Sequence, residues 1–299
     1  MHVPVLLQPT IEWLNLQPGE ILVDGTVNAA GHAKELCQFL GSTGLLVGID
    51  ADGEAIERAK SNLNTCPCPT KLIRGNFRHF NKLLDEAGIE KVDAVLLDLG
   101  FSSDQLDDSG RGFSFQRDEP LMMTLSNDDT LGTLVTAEEA VNEWAEESLA
   151  DIIYGFGEEQ FSRRIAKAII EARAVKPIKT TGELVKIIEE AVPGWYRHRK
   201  LHPATKTFQA LRIAVNDELG AIKTALPAIW QRLNPGGRLA IISFHSLEAR
   251  IVKDWMREKK AQGEGVILTK KAVKPDREEE LANPRSRSAQ LRVIKKINF

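Results

Sequence analysis

The most constraining feature is a rhythm in the first hundred residues. Four apolar runs, ILVDGT at 21–26, LLVGID at 45–50, TKLIRGN at 70–76 and VDAVLLDLG at 92–100, alternate with helical patterns such as AKELCQFLG, GEAIERAKSNL and FNKLLDEAG. Short apolar strands separated by amphipathic helices pack in one favoured way, as a parallel sheet with right-handed crossovers and helices on both faces. The expected fold class is therefore α/β, with a mostly parallel, Rossmann-like sheet.

The rhythm stops for about a hundred residues, where SLADIIYGFGEEQFSRRIAKAIIEARA and TGELVKIIEEAV keep helical spacing without strands between them. It resumes with the amphipathic stretch ATKTFQALRIAVNDELGAIKTALPAIWQRLN, a PGG turn, the strand RLAIISFHS and the helix LEARIVKDWMREKK. Two later runs, GVILT and QLRVIKKI, are expected as an antiparallel pair at the sheet edge. This predicts a core over 1–105 and 205–299 interrupted by a helical insert over 106–204.

In sheets of this kind ligands sit at the carboxyl ends of the strands, where the first strand turns into its helix. The stretch DGTVNAAGHA at 24–33 occupies that corner, and the next strand ends in Asp50, placed to accept hydrogen bonds from ribose hydroxyls. The run VDAVLLDLG likewise ends in Asp98 beside a glycine. Neither G-x-G-x-x-G nor G-K-[ST] is present, so a nucleoside cofactor without phosphates fits better than a nucleotide. S-adenosylmethionine is such a molecule, although spacing alone does not single it out.

No run of about 18 apolar residues suggests a membrane span, and the start, MHVPVLLQPTIEWL, lacks the basic and cleavage-site features of a signal peptide, so the chain is read as cytoplasmic. Cys37, Cys66 and Cys68 form neither a disulfide framework nor a zinc pattern and are expected as reduced thiols, with no metal. The net charge of −3 does not announce a nucleic-acid binder, but its distribution is polarised. Residues 126–151 hold eight acids and no Lys or Arg, whereas 195–212, WYRHRKLHPATKTFQALR, hold five Lys/Arg and no acid. An aromatic pair beside that basic run tilts the reading toward RNA.

Longer motifs carry a family resemblance: HVPVLL at 2–7, DGT at 24–26 followed by GH at 31–32, DLGxSSxQLDD at 98–108, RGFSF at 111–115, HPATxTFQALRIAVNDEL at 202–219, GGRLAIISFHSLE at 236–248 and NPRSRSA at 283–289. In order and over almost the whole chain, these resemble the bacterial 16S rRNA (cytosine-N4)-methyltransferases. The resemblance implies a class I methyltransferase core with an inserted helical domain, S-adenosylmethionine as cofactor, and methylation of a cytidine of 16S rRNA at the decoding centre of the small ribosomal subunit. It puts the cofactor contacts on Ala30, Gly31, His32, Asp50, Phe77, Asp98 and Gln105.

For catalysis, Asp98 is the candidate proton acceptor, with Ser102, Ser103 and His245 as supporting polar groups. For RNA, Trp195, Tyr196, Arg197, Arg199, Lys200, Lys206 and Arg212 supply aromatic and cationic side chains, and Arg285 and Arg287 add candidate phosphate contacts. The sequence does not specify an oligomeric state.

The chain also departs from the family pattern. Asn28, Ala29 and Ala30 stand where relatives carry a glycine-rich run, and Met122, Thr124 and Ser126 replace charged residues in PLMMTLS. Smaller changes are Ala33, Lys206 and Ala249. A left-handed alanine in the loop would cost roughly 1–2 kcal/mol, and its methyl group could crowd the cofactor. Two readings follow: an active enzyme, or an RNA-binding homologue whose cofactor loop has degenerated.

Overall fold

A computed structural model describes residues 4–100, 110–125 and 135–297. The chain divides into two units, Met1–Gly100 with Leu219–Phe299, and Phe101–Glu218.

In the first unit, β1 (Ile21–Asp24), β2 (Leu45–Asp50), β3 (Thr70–Arg74), β4 (Val92–Asp98), β5 (Leu233–Ser243), β6 (Gly265–Ile267) and β7 (Gln290–Lys296) form one sheet in the order β3-β2-β1-β4-β5-β7-β6. The first five strands are parallel, while β7 runs antiparallel to β5 and to β6, as the alternating pattern and the edge pair predicted. This is the class I methyltransferase arrangement. The PGG turn does not interrupt β5. It bulges out, since Val92 pairs with Leu233 and Ala94 with Arg238.

Before β1 lies α1 (Leu7–Leu14); the crossovers are α2 (Gly31–Leu36), α3 (Gly53–Asn62) and α4 (Phe80–Glu86). Each strand reads as a nearly continuous apolar run because both of its faces are covered. Leu22, Leu46, Leu96 and Ile242 face one core with Leu36 and Leu40, and Val23, Val47, Val95 and Ile241 face the other with Phe80, Leu84 and Ile229. The three cysteines converge at the first of these cores. Cys37 and Cys66, expected as reduced thiols, are paired, with Cα atoms 6.0 Å apart, and Cys68 Sγ lies 3.6 Å from Cys66 Sγ. A separation of 29 residues hid this from the sequence, because only the sheet brings the end of α2 beside the end of α3.

The second unit is helical: α5 (Ala137–Glu143), α6 (Glu146–Gly155), α7 (Ser162–Val175), α8 (Thr181–Ala191), α9 (Gly194–Arg197) and α10 (Thr205–Asn216). Capping boxes at Thr136 and Thr180 start α5 and α8, each Thr side chain accepting from the backbone of a Glu three residues on. The insert expected over 106–204 is wider than that span. Phe208, Ala210 and Leu211 of α10 are buried with Leu149, Ile153 and Ile165, so α10 belongs to the helical core rather than to the sheet. The unit ends where Asp217 turns left-handed, with φ 46°, and α11 (Glu218–Arg232) begins. α12 (Ser246–Ala261) and the short α13 (Arg277–Ala282) complete the first unit. Among the described residues no helix is long and apolar enough to cross a membrane.

Candidate active site

The strand order reverses at β1, between β2 and β4, and that reversal opens a cleft at the carboxyl ends. Three carboxylates stand there, Asp24, Asp50 and Asp98, each closing its strand. The turn after β1 fits the next strand end to the first. Gly25 N donates to Leu96 O at 2.9 Å, and Thr26 Oγ1 accepts from Asp98 N at 2.7 Å. A Cβ on Gly25 would lie 2.5 Å from Leu97 Cδ2, so a larger residue there would have to displace the Leu97 side chain.

Asp50 is fixed by two backbone donors, Asn28 N on Oδ2 and Asp52 N on Oδ1, both at 2.9 Å. Each oxygen keeps a second lone pair, so the carboxylate is oriented and can still accept from two hydroxyls. Phe77 packs beside the same turn, its Cβ 3.6 Å from where a Gly25 Cβ would stand, and its ring is half-buried.

His32 lies nearly buried within the cleft. Its Nε2 is 2.8 Å from Val5 O, a carbonyl that can only accept, so Nε2 carries the proton and Nδ1 is left as an acceptor. Nδ1 stands 3.5 Å from Asp98 Oδ2, while Asp98 Oδ1 is buried with no hydrogen-bond partner among the described residues. Burial raises Asp98 to about 7, with a further push from the Glu248 charge, and raises Asp24 to about 7 and Asp50 to about 6. The same burial pushes His32 below its usual value. A neutral acid on Asp98 facing a neutral imidazole satisfies all of these constraints, because every charged form is poorly solvated.

Ser102 and Gln105 lie outside the described residues, as do Ser103 and Ser126. His245 has a structural task. It caps α12, Nδ1 accepting from Glu248 N at 3.4 Å, while Nε2 sits 3.2 Å from Glu248 Oε1. Glu248, buried, also accepts from Phe244 N at 2.8 Å, and its charge is felt by Asp98. Asp24 and Glu248 were missed from the sequence. The first repeats the strand-end aspartate pattern, and the second stands three residues after a helix cap, the capping-box spacing.

The loop departures have a clear outcome. Asn28 and Ala30 are both left-handed, with φ of 47° and 62°. The Ala30 methyl is fully buried in the core with Ala33 and Leu36, and Gly31 is required because a Cβ there would lie 2.9 Å from Pro4 Cγ. The Ala30 methyl is thus accommodated in the core. Replacing Ala30 by glycine relieves roughly 1–2 kcal/mol of backbone strain, but removes a buried methyl worth about 0.8 kcal/mol and frees the unfolded chain by about 0.4–1 kcal/mol. The expected result is a thermal midpoint within about 2 °C of the parent and cofactor affinity unchanged within twofold; calorimetry of both proteins checks it.

In the helical unit, PLMMTLS is a packing element. Leu121 and Met123 are buried, Met123 O accepts from Asn216 Nδ2 at 2.7 Å, Leu125 N donates to Asn216 Oδ1, and Arg111 Nη1 donates to the carbonyls of Thr124 and Leu125. Met122 is exposed.

The expected RNA contacts separate into two groups. Trp195 is 58% exposed, with the Arg199 guanidinium 4.9 Å from its ring centroid, and Arg197 and Lys200 are exposed beside it. Tyr196, Lys206 and Arg212 are engaged within the protein. Tyr196 is buried and donates its hydroxyl to Glu159 Oε2 at 2.5 Å, Lys206 Nζ donates to Glu158 O, and Arg212 forms a two-pronged pair with Glu218 at 2.8 and 3.0 Å. In the first unit, Arg285 and Arg287 are exposed, with Arg287 Nε 3.9 Å from Glu280.

Residues 1–297 match the MraW methylase family. The chain belongs to that family. It is 44% identical to the ribosomal RNA small subunit methyltransferase H of Heliobacterium modesticaldum, over 99% of this chain and 98% of that protein. It is 43% identical to the protein of the same name from Clostridioides difficile, over 99% of each. As a member of the MraW methylase family the chain is a methyltransferase, and the cleft at the ends of β1, β2 and β4 is where its fold places that chemistry.

Proposed function

We propose that the chain transfers the methyl group of S-adenosylmethionine to the exocyclic N4 of a cytidine in 16S rRNA, at the decoding centre of the cytoplasmic small ribosomal subunit. The cofactor and the rRNA substrate are those of the family. The atom and the position are the finer part of the proposal.

The residues of the cleft fit the cofactor. Asp50 presents lone pairs for two ribose hydroxyls in a fixed orientation, and Phe77 offers a half-buried ring beside it. S-adenosylmethionine supplies an electrophilic methyl group on a cationic sulfonium. Three buried carboxylates are costly to ionise in the free protein, and a cationic ligand offsets that cost.

The observation that carries the proposal is the buried Asp98 carboxyl beside the His32 imidazole, its Oδ1 without a hydrogen-bond partner among the described residues. As the amino nitrogen of cytosine gains a bond to carbon it must lose a proton, and the group that takes it serves best with a pKa near the working pH. Ionised Asp98 has that property; His32 Nδ1 can share the proton and hold the carboxyl in place. A hydrogen bond that draws the amino group out of conjugation with the ring favours the transition state selectively. The target base leaves its stack to reach such a cleft, and the exposed Trp195 and Arg199 are suited to stacking on unpaired RNA.

The test is transfer of labelled methyl groups to small subunits purified from cells that lack this modification, followed by nucleoside digestion. Label in N4-methylcytidine from the decoding-centre fragment is expected. Label on another atom or another nucleoside, or none in RNA, rejects the proposal.

A further inference from the structure

Beside β7 in the first unit lies an open pocket of about 530 Å³ with an unusual lining. Lys253 and Arg257 come from α12, Lys270, Lys271 and Lys274 from the segment after β6, and Arg292 from β7. Among the described residues no carboxylate lines it. In a chain whose net charge is −3, six converging cations are a local reversal of sign.

The lysine-bearing segment is held in place. Val273 and Leu291 exchange two backbone hydrogen bonds at 2.9 Å, Leu268 N donates to Val293 O, and Val293 N donates to Thr269 Oγ1. The ammonium groups are therefore presented from a fixed backbone. Arg292 is half-buried, and its Nε is buried without a hydrogen-bond partner among the described residues. Burial and the like charge of Arg257 both disfavour the Arg292 cation, so an anion bound there would be stabilising.

Chemistry points to which anion. Arg292 pairs with Ile241 and Gln290 with Ser243 across β5, on the face that α12 covers, whereas Asp98 pairs with Ile242 and faces the other core, so the pocket lies on the face of the sheet opposite the Asp98 side chain. Exposed lysines, as mobile point charges, suit contact with a phosphodiester backbone, which positions a nucleic acid without reading its sequence.

We propose that this pocket is a subsite for the phosphodiester backbone of the substrate RNA. The inference rests on the rRNA-methylating reading above. The experiment uses the full chain with Lys270→Gln, Lys271→Gln and Lys274→Gln combined, and measures affinity for undermethylated small subunits over a range of potassium chloride concentrations. The slope of log affinity against log salt is expected to fall by about 2 in magnitude, at about 0.7 per lost contact to single-stranded RNA. S-adenosylmethionine affinity should stay within twofold, which shows the variant is folded, and the matching triple arginine variant should restore the slope. An unchanged slope in the glutamine variant, with the parent binding and methylating normally, overturns the pocket and leaves the function standing. Inorganic phosphate bound tightly by the parent and lost in the variant, again with an unchanged slope for RNA, overturns it in favour of a small-anion site. A parent chain that neither binds nor methylates small-subunit RNA overturns both.

Discussion

The affinity of the chain for S-adenosylmethionine is expected to fall by between about 30-fold and 1,000-fold as the pH drops from 8 to 5.5. Asp24 and Asp98, both raised to about 7, are ionised at the upper end and protonated at the lower, and Asp50, raised to about 6, follows below them. A cation binds the ionised cleft. Each carboxylate that must lose its proton contributes tenfold per pH unit below its own value, so 1.5 units give about 30-fold for one group and about 1,000-fold for two. The sign for the free protein is the reverse. A carboxyl raised in the fold stabilises it fully below the unfolded value near 3.8, and that contribution is lost as the pH climbs through about 6 to 7. Titration calorimetry at several pH values in two buffers of different protonation heat checks both parts, since binding near pH 6.5 should release protons. Affinity independent of pH between 5.5 and 8 would show that these carboxylates do not face the cofactor.

Much of this cleft is legible in the sequence, for a definite physical reason. A parallel strand covered on both faces must be apolar along its length, so the first polar residue after the run marks its carboxyl end, and Asp50 and Asp98 stand there. Asp24 obeys the same rule but hides in DGT, a tripeptide that also reads as an ordinary turn. Composition misled where burial decides. Tyr196 sits in the same basic, aromatic run as the exposed Trp195, yet its hydroxyl is committed to Glu159, 37 residues away, and no local pattern announces that bond. Arg212 looked available because its partner, Glu218, lies beyond the left-handed Asp217 and is brought back only by that turn. The boundary at 204 failed similarly. The amphipathic stretch from 204 to 234 reads as one helix, and only the packing of Phe208 and Leu211 against Leu149 and Ile153 shows that its first half belongs to the helical unit.

Replacing Asp98 with asparagine should lower kcat by about 100-fold to 10,000-fold, the range expected when a positioned proton acceptor is removed. The substitution keeps size and shape, and Asp98 N still donates to Thr26 Oγ1, so the end of β4 stays in place. The amide cannot take a proton at neutral pH, and its oxygen and nitrogen must divide between His32 Nδ1 and the buried position of Oδ1. Asparagine also removes a group whose charged form is poorly solvated, so the unliganded variant at pH 8 should melt no lower than the parent. This combination separates chemistry from architecture. If Asp98 serves mainly to grip the cofactor, the substitution raises the dissociation constant for S-adenosylmethionine and leaves single-turnover methyl transfer at saturating cofactor nearly intact. If Asp98 takes the proton, the single-turnover rate falls at saturation as well, and its dependence on pH near 7 disappears. Single-turnover measurements on small subunits, run from pH 6 to 8.5 with both proteins, distinguish the two. A variant that transfers methyl groups at the parental rate across that range would remove Asp98 from the chemistry, and His32 Nδ1 would then be the next group in the cleft able to accept the proton.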